Sequence, residues 1–297
     1  MSVHELKVEI RPEAVPLVEE TLAEREDSLL MVVEDKVAGR AWVVGYFGEA
    51  EEARSHWNSL GSQDPAAWSL GPLELRAMPD ADWKDSYKAH FQASSFGRLH
   101  WVPLWERETY RAPAEARVLW LDPGMAFGTG NHETTRLVAE RLVEFAARRG
   151  TAGRVVDAGC GSGILALSAA LLGFSKVEGF DNDPEAIRVS EENAALNGLV
   201  GRVGFHVADL RTGFRSGPAS LVLANIQADV LVRFVPELLA AVEPGGEMVL
   251  SGILARELDE VRRAFARAAV GEELESRTMG EWSDLVVRPG RVPSAGA

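Results

Sequence analysis

Val155-Val156-Asp157-Ala158-Gly159-Cys160-Gly161-Ser162-Gly163 is the stretch on which the fold of this 297-residue chain turns. An apolar run enters it and an acidic residue ends that run. Three glycines then alternate with small residues, and Ile164 to Phe174 (ILALSAALLGF) follows as a mostly apolar helix. Strand, glycine turn and helix in that order form the ligand-binding corner of an open α/β sheet. A backbone without Cβ atoms turns sharply and comes close to a ligand, and Gly159 and Gly161 occupy that turn. The helix start behind it offers unpaired N–H groups.

Spacing narrows the ligand. A dinucleotide fingerprint, G-x-G-x-x-G, needs a third glycine where Ile164 stands; here that glycine is Gly163. A phosphate loop needs Gly-Lys-Ser/Thr, and no lysine lies between Arg154 and Lys176. What remains, G-x-G-x-G behind an acidic residue, resembles the first motif of the S-adenosylmethionine-dependent methyltransferases with a doubly wound sheet. Taken alone the motif leaves two alternatives open: a nucleotide fold with a drifted fingerprint, and a glycine turn without a ligand.

Composition sets bounds around this corner. The length suffices for two domains and a sizeable core. Hydrophobic content of 46% and charged content of 26% are ordinary for a globular protein. No apolar run approaches the roughly 20 residues that span a bilayer. The start, MSVHELKVEI, lacks a signal pattern, so the cytoplasm is the expected compartment. Cys160 is the single cysteine, which excludes an internal disulfide and a multi-cysteine metal site; no metal is expected. A net charge of −14 argues against nucleic acid held on a broad basic face. Residues 1–75 carry 15 acidic against 6 basic residues, so the first quarter holds most of the imbalance. That asymmetry serves solubility, or steers the chain toward a basic protein partner.

Periodicity divides the chain. Leu6–Ile10, Leu29–Val33, Ala41–Phe47 and Trp68–Ala77 read as strands, with helices over Glu13–Glu26 and Ala50–Leu60. The order β-α-β-β-α-β matches the ferredoxin-like split unit, a small docking module placed here at residues 1–77. Residues 78–105 read as a linker. Its helix, Asp82–Gln92, repeats Trp83, Tyr87 and Phe91 on one face, and Gly97–Trp105 is a strand laid on the next domain. Residues 106–288 form the second domain. Leu121–Thr135 (LDPGMAFGTGNHETT) reads as an ordered loop that closes over something. Beyond it, strands at 176–180, 202–207, 220–224 and 247–250 alternate with helices at 135–148, 184–197, 228–242 and 255–269. Such alternation gives a doubly wound, mainly parallel, seven-stranded sheet. The closing pair, Glu272–Thr278 and Trp282–Val287, must be antiparallel because a three-residue loop cannot make a parallel crossover. The tail, 289–297, is expected to be disordered, and the protein to be a monomer.

Ligands of open α/β sheets lie at the carboxyl ends of the strands. Four successive ends here carry Gly159, Asp181, Asp209 and Asn225. Asp181, 22 residues beyond Gly159, suits a ribose diol, since one carboxylate accepts two hydrogen bonds. Asp209 is placed to accept from an adenine amino group, or to close a strand-end turn. Asn225 offers carbonyl groups to an amine that must lose a proton. Asp183 ahead of Pro184 is a helix cap. His132 is a candidate base, although a hydrogen-bonded loop histidine fits as well. Glu133 would attract an ammonium or face water.

At this point the residues resemble a family. Leu121 to Gly130 (LDPGMAFGTG), followed by His132, Thr134 and Thr135, is similar to the signature of the PrmA-type methyltransferases, which modify large-subunit ribosomal protein eleven. Asp157–Ala166, Asp181-Asn182-Asp183-Pro184, Ala224-Asn225-Ile226 and Leu250-Ser251-Gly252-Ile253-Leu254 agree with it. The resemblance implies methyl transfer from S-adenosylmethionine to lysine side-chain and N-terminal amines of that basic protein. It implies cofactor contacts at Thr135, Gly159, Asp181 and Asn225, and Phe127, Gly128 and Thr129 beside the methyl. It further implies that the first domain recognises the substrate. Asn131, Glu133 and Gln227 depart from the usual pattern, near the acceptor. Transfer to another protein or a small amine, and a cofactor-binding regulator without turnover, are the competing expectations.

Overall fold

The computed structural model describes residues 3–24, 29–35, 39–59, 69–78, 92–122, 132–268 and 273–289. The chain divides into two compact units, 1–91 and 92–297. The aromatic helix expected over Asp82–Gln92 and the tail from 290 onward lie outside the described residues, apart from Gln92.

In the first unit β1 (Val3–Ile10), α1 (Val15–Glu24), β2 (Leu30–Asp35), β3 (Arg40–Phe47), α2 (Ala50–Ser59) and β4 (Glu74–Met78) follow in order. The strands form an antiparallel sheet in the order β2-β3-β1-β4. Alternation sends Leu6, Val8 and Ile10 of β1 to one face, with Ala41, Val43 and Phe47 of β3. Val18 and Leu22 of α1 and Ala53 and Trp57 of α2 complete that core. The last strand is shorter than the Trp68–Ala77 expected: Ser69 makes only an isolated bridge to Ile10. Pro72, between the two, has no N–H to give to a ladder.

The second unit opens on β5 (Ser94–Phe96), β6 (Leu99–Pro103) and β7 (Arg117–Leu121), a separate small sheet in which β6 and β7 run parallel. The strand read as linker thus pairs within this unit. Then come α3 (Glu133–Arg149), β8 (Arg154–Ala158), α4 (Ile164–Leu172), β9 (Lys176–Asp181), α5 (Pro184–Leu196), β10 (Val203–Val207) and β11 (Ala219–Asn225). After α6 (Ala228–Arg233) and α7 (Val235–Ala240) follow β12 (Val242–Leu254), α8 (Leu258–Ala268), β13 (Glu273–Glu275), β14 (Thr278–Met279) and β15 (Trp282–Arg288). Among the described residues the main sheet runs β10-β9-β8-β11-β12-β15-β13, with β14 also on β15. Its first five strands are parallel; β15 is antiparallel to β12, and β13 and β14 are antiparallel to β15. Two cores cover its faces, one with α3 and α4, the other with α6, α7 and α8. The small sheet docks on α4, where the buried Trp101 Nε1 donates to Ser168 Oγ at 2.9 Å.

Three expectations change in detail. The single helix expected over 228–242 breaks at Phe234, because Pro236 enters the first turn of α7 and withholds its N–H. The strand expected at 247–250 extends to 242–254. The strand expected at 272–278 splits: the Arg277 N–H turns to the Asp284 carboxylate, 2.6 Å away, instead of a ladder carbonyl.

Candidate active site

The glycine turn is held from below. The N–H groups of Gly159 and Cys160 both donate to Phe180 O, at 2.8 and 3.0 Å, which ties the end of β8 to β9. Gly159 has φ +73, and a Cβ there would lie 2.5 Å from Ile226 Cγ2. Only glycine keeps the turn this close to the residue that follows Asn225. Burial pushes the Cys160 thiol up, so it stays protonated and unreactive.

Asp181 sits beside the turn. Its Oδ2 accepts from Gly161 N at 2.9 Å and its Oδ1 from Asp183 N at 3.0 Å. Each oxygen therefore has one backbone donor and a remaining lone pair. Asp183 caps α5 through Glu185 N at 2.8 Å, ahead of Pro184. At the end of β10, Asp209 is exposed and its Oδ1 serves its own turn, accepting from Thr212 Oγ1, Thr212 N and Arg211 N. The Thr212 hydroxyl foremost, with those two N–H groups, holds this carboxyl below its ordinary value. The strand-end turn is thus the reading of Asp209 that the geometry bears out, with Oδ1 as its acceptor.

Asn225 ends β11. Its Nδ2 donates to Thr135 Oγ1 at 3.2 Å, joining two residues 90 positions apart. Thr135 is buried in the first turn of α3, which His132 caps. The Nδ1 of His132 accepts the Thr134 N–H at 3.4 Å and stands 2.9 Å from its hydroxyl. The exposed ring meets Trp282 edge-on, at 4.9 Å between centroids. A helix cap is therefore what the geometry gives His132. The structure brings Gly161 to Asp181 and Thr135 to Asn225. Phe127, Gly128, Thr129 and Asn131 lie outside the described residues.

Two groups have no role that the sequence assigns. The first is Asp157, which ends the apolar run of the motif. It is 1% exposed; Oδ2 accepts from Ala166 N at 3.0 Å, and Oδ1 has no partner among the described residues. Burial above all pushes this carboxyl up to about 7; the Ala166 N–H opposes the rise and the Asp181 charge adds to it. The other group is Ser251-Gly252, small residues inside an apolar strand, a signal that was available in the sequence.

A doubly wound sheet of this strand order, closed by an antiparallel hairpin and carrying an acidic glycine corner, is a methyltransferase-like fold. The family model described as ribosomal protein L11 methyltransferase (PrmA) matches residues 6–289, and the chain belongs to that family. A ribosomal protein L11 methyltransferase of Pelobacter propionicus is 41% identical over 256 residues, 83% of this chain and 81% of that protein. One of Chloroflexus aurantiacus is 35% identical, across 96% of this chain and 97% of its own. The crystal structure of a ribosomal protein L11 methylase from Lactobacillus delbrueckii subsp. bulgaricus superposes with a TM-score of 0.60 at 32% identity. That match covers 68% of this chain and 100% of the other. The protein is thus a methyltransferase by family.

Proposed function

We propose that this protein transfers methyl groups from S-adenosylmethionine to lysine side-chain and N-terminal amines of ribosomal protein L11. The observation that carries the proposal is the Thr135–Asn225 contact at a strand end beside the Gly161–Asp181 corner. The residues fit the cofactor. Asp181 keeps a lone pair on each oxygen for a ribose diol, while Gly161 and Asp183 hold the carboxylate still. Asp209 Oδ2 accepts from an adenine amino group. When bound, the cofactor supplies an electrophilic methyl on a positively charged sulfur.

The chain's own contribution is orientation. Asn225 donates through Nδ2 to Thr135, so its Oδ1 is turned the other way and accepts an N–H of the neutral amine. Holding that proton aims the nitrogen lone pair, and orientation of this kind supplies up to about 7–11 kcal/mol of a barrier. Phe127 and Thr129 are proposed to line the methyl. No dedicated base is required once the amine enters neutral.

The first unit, read as a ferredoxin-like module, is proposed to recruit the substrate. Its excess of acidic residues complements a basic ribosomal protein. The enzyme is proposed to act as a monomer in the cytoplasm, without nucleic acid. Among the described residues no helix is long and apolar enough to cross a membrane.

Two outcomes check the proposal. Incubation with purified L11 and S-adenosylmethionine is expected to shift the intact mass of L11 by whole methyl steps. An unshifted L11, with a labelled band elsewhere in a lysate, points to another substrate. Asp181→Ala is expected to weaken cofactor binding by about 1–3 kcal/mol, the loss of hydrogen bonds to buried hydroxyls. Unchanged calorimetric affinity removes Asp181 from the site.

A further inference from the structure

Between Leu250 and Ile253, β12 uses one residue more than β15 uses between Leu285 and Ser283. This bulge changes which way the strand faces. Val249 belongs to the core on the α3 side, while Leu250 and Ile253 both belong to the opposite core. Alternation from Val249 sends Ser251 toward α3, and the extra residue then turns Ile253 to the opposite core and leaves Gly252 against Ile226. Ser251 has no exposed surface. Its Oγ donates to Thr134 O at 3.1 Å, with Ser283 O at 3.5 Å, and its backbone oxygen accepts from Ile226 N at 3.2 Å. Gly252 follows with φ +80, and a Cβ there would stand 2.4 Å from Ile226 O. Any side chain at 252 would drive the two strand ends apart.

These bonds close a ring. Ser251 holds Thr134; Thr135, next in the chain, holds the Asn225 amide; Ile226, next after Asn225, returns to Ser251. We infer that Ser251 is a positioning residue of the methyl-transfer site, which fixes through this ring the direction of the Asn225 carbonyl. It touches no substrate in this role. The inference rests on the function proposed above for Asn225.

The test uses the full chain with L11 and S-adenosylmethionine. In the unliganded protein, nitrogen-15 NMR reads proton exchange at the Asn225 carboxamide. Ser251→Ala is expected to speed that exchange about tenfold, as one hydrogen bond is lost from the ring. Single-turnover methyl transfer at saturation is expected to fall about tenfold, with KM for L11 within about twofold, the pattern of a lost transition-state interaction. Ser251→Cys, with similar volume and a weak donor, should lie between. Ser251→Ala combined with Thr135→Val is expected to be no slower than the slower single variant, because both cut the same ring.

Losses that multiply, or an unchanged Asn225 exchange in Ser251→Ala, overturn the inference, whatever happens to the rate. If the unmodified enzyme leaves L11 untouched, the proposed substrate fails instead, and the amide exchange still decides the role of Ser251.

Discussion

Asparagine at position 284 is expected to take about 3–5 kcal/mol from the stability of the second unit, the usual result of breaking a buried ion pair from one side. Asp284 has no exposed surface and Arg141 of α3 is 4% exposed. The pair is bidentate, Nε to Oδ2 at 2.6 Å and the second guanidinium nitrogen to Oδ1 at 3.0 Å. Burial alone would lower the Arg141 pKa, but its bonds to Asp284 and Glu275 outweigh burial and raise it. The cation therefore persists at every accessible pH. Asparagine keeps one acceptor and removes the charge, leaving the half-exposed Glu275, 2.5 Å away, as the main counter-ion. The Arg277 N–H is weakened too, since it donates to the same carboxylate. Urea unfolding read at the fluorotryptophan resonance of Trp101 would measure the loss within this unit alone. A difference under about 0.5 kcal/mol, the range of an ordinary surface substitution, would show that the pair is not holding α3 to the hairpin. The paired replacement Arg141→Met with Asp284→Leu is expected to recover most of the loss, because no buried charge is then left alone.

That ion pair also marks where sequence reading stops. Arg141 and Asp284 are 143 positions apart, and neither has a local pattern that names its partner. The cavity of about 180 Å³ beyond them, among Arg148, Glu247, Glu275 and Arg288, is equally non-local. Glu247 and Val249 of β12 line it, and it shares no lining residue with the candidate site. By contrast Gly159, Gly161 and Asp181 were legible because strand, turn and helix follow one another in the chain. Their contacts span about one β-α-β unit. Asn225 was legible from its place at the end of an apolar strand, but its bond to Thr135 was not, since it joins that strand to a helix 90 positions away. The break between α6 and α7 had a local cause in Pro236, and periodicity outvoted it. Ser251 had a local cause as well: a polar residue and a glycine interrupt the run Met248–Leu254. Its meaning depends on the bond to Thr134, 117 positions away, which no local pattern names.

Asp157→Asn is expected to stabilise the second unit at neutral pH, by an amount that grows with pH. The folded carboxyl titrates at about 7 and the ordinary value is 3.8. Below 3.8 both folded and unfolded chains hold the proton, so titration makes no difference there. As pH rises, the unfolded chain releases its proton while the folded chain still keeps it. Stability therefore falls by about 1.4 kcal/mol per pH unit, until the folded carboxyl also ionises near 7. The accumulated destabilisation is about 4 kcal/mol above that point. Asparagine mimics the neutral acid: it can still accept the Ala166 N–H and it never titrates. Its advantage over aspartate is thus expected to increase by about 2–3 kcal/mol between pH 5 and pH 8. The Trp101 resonance in urea again gives the number, now at several pH values. An advantage that stays flat with pH would mean that Asp157 ionises normally. Its Oδ1 would then have a partner, and the corner would hold a stable carboxylate instead of a strained one. A carboxyl buried under the glycine turn that weakens the fold as pH rises sits where stability alone would favour asparagine.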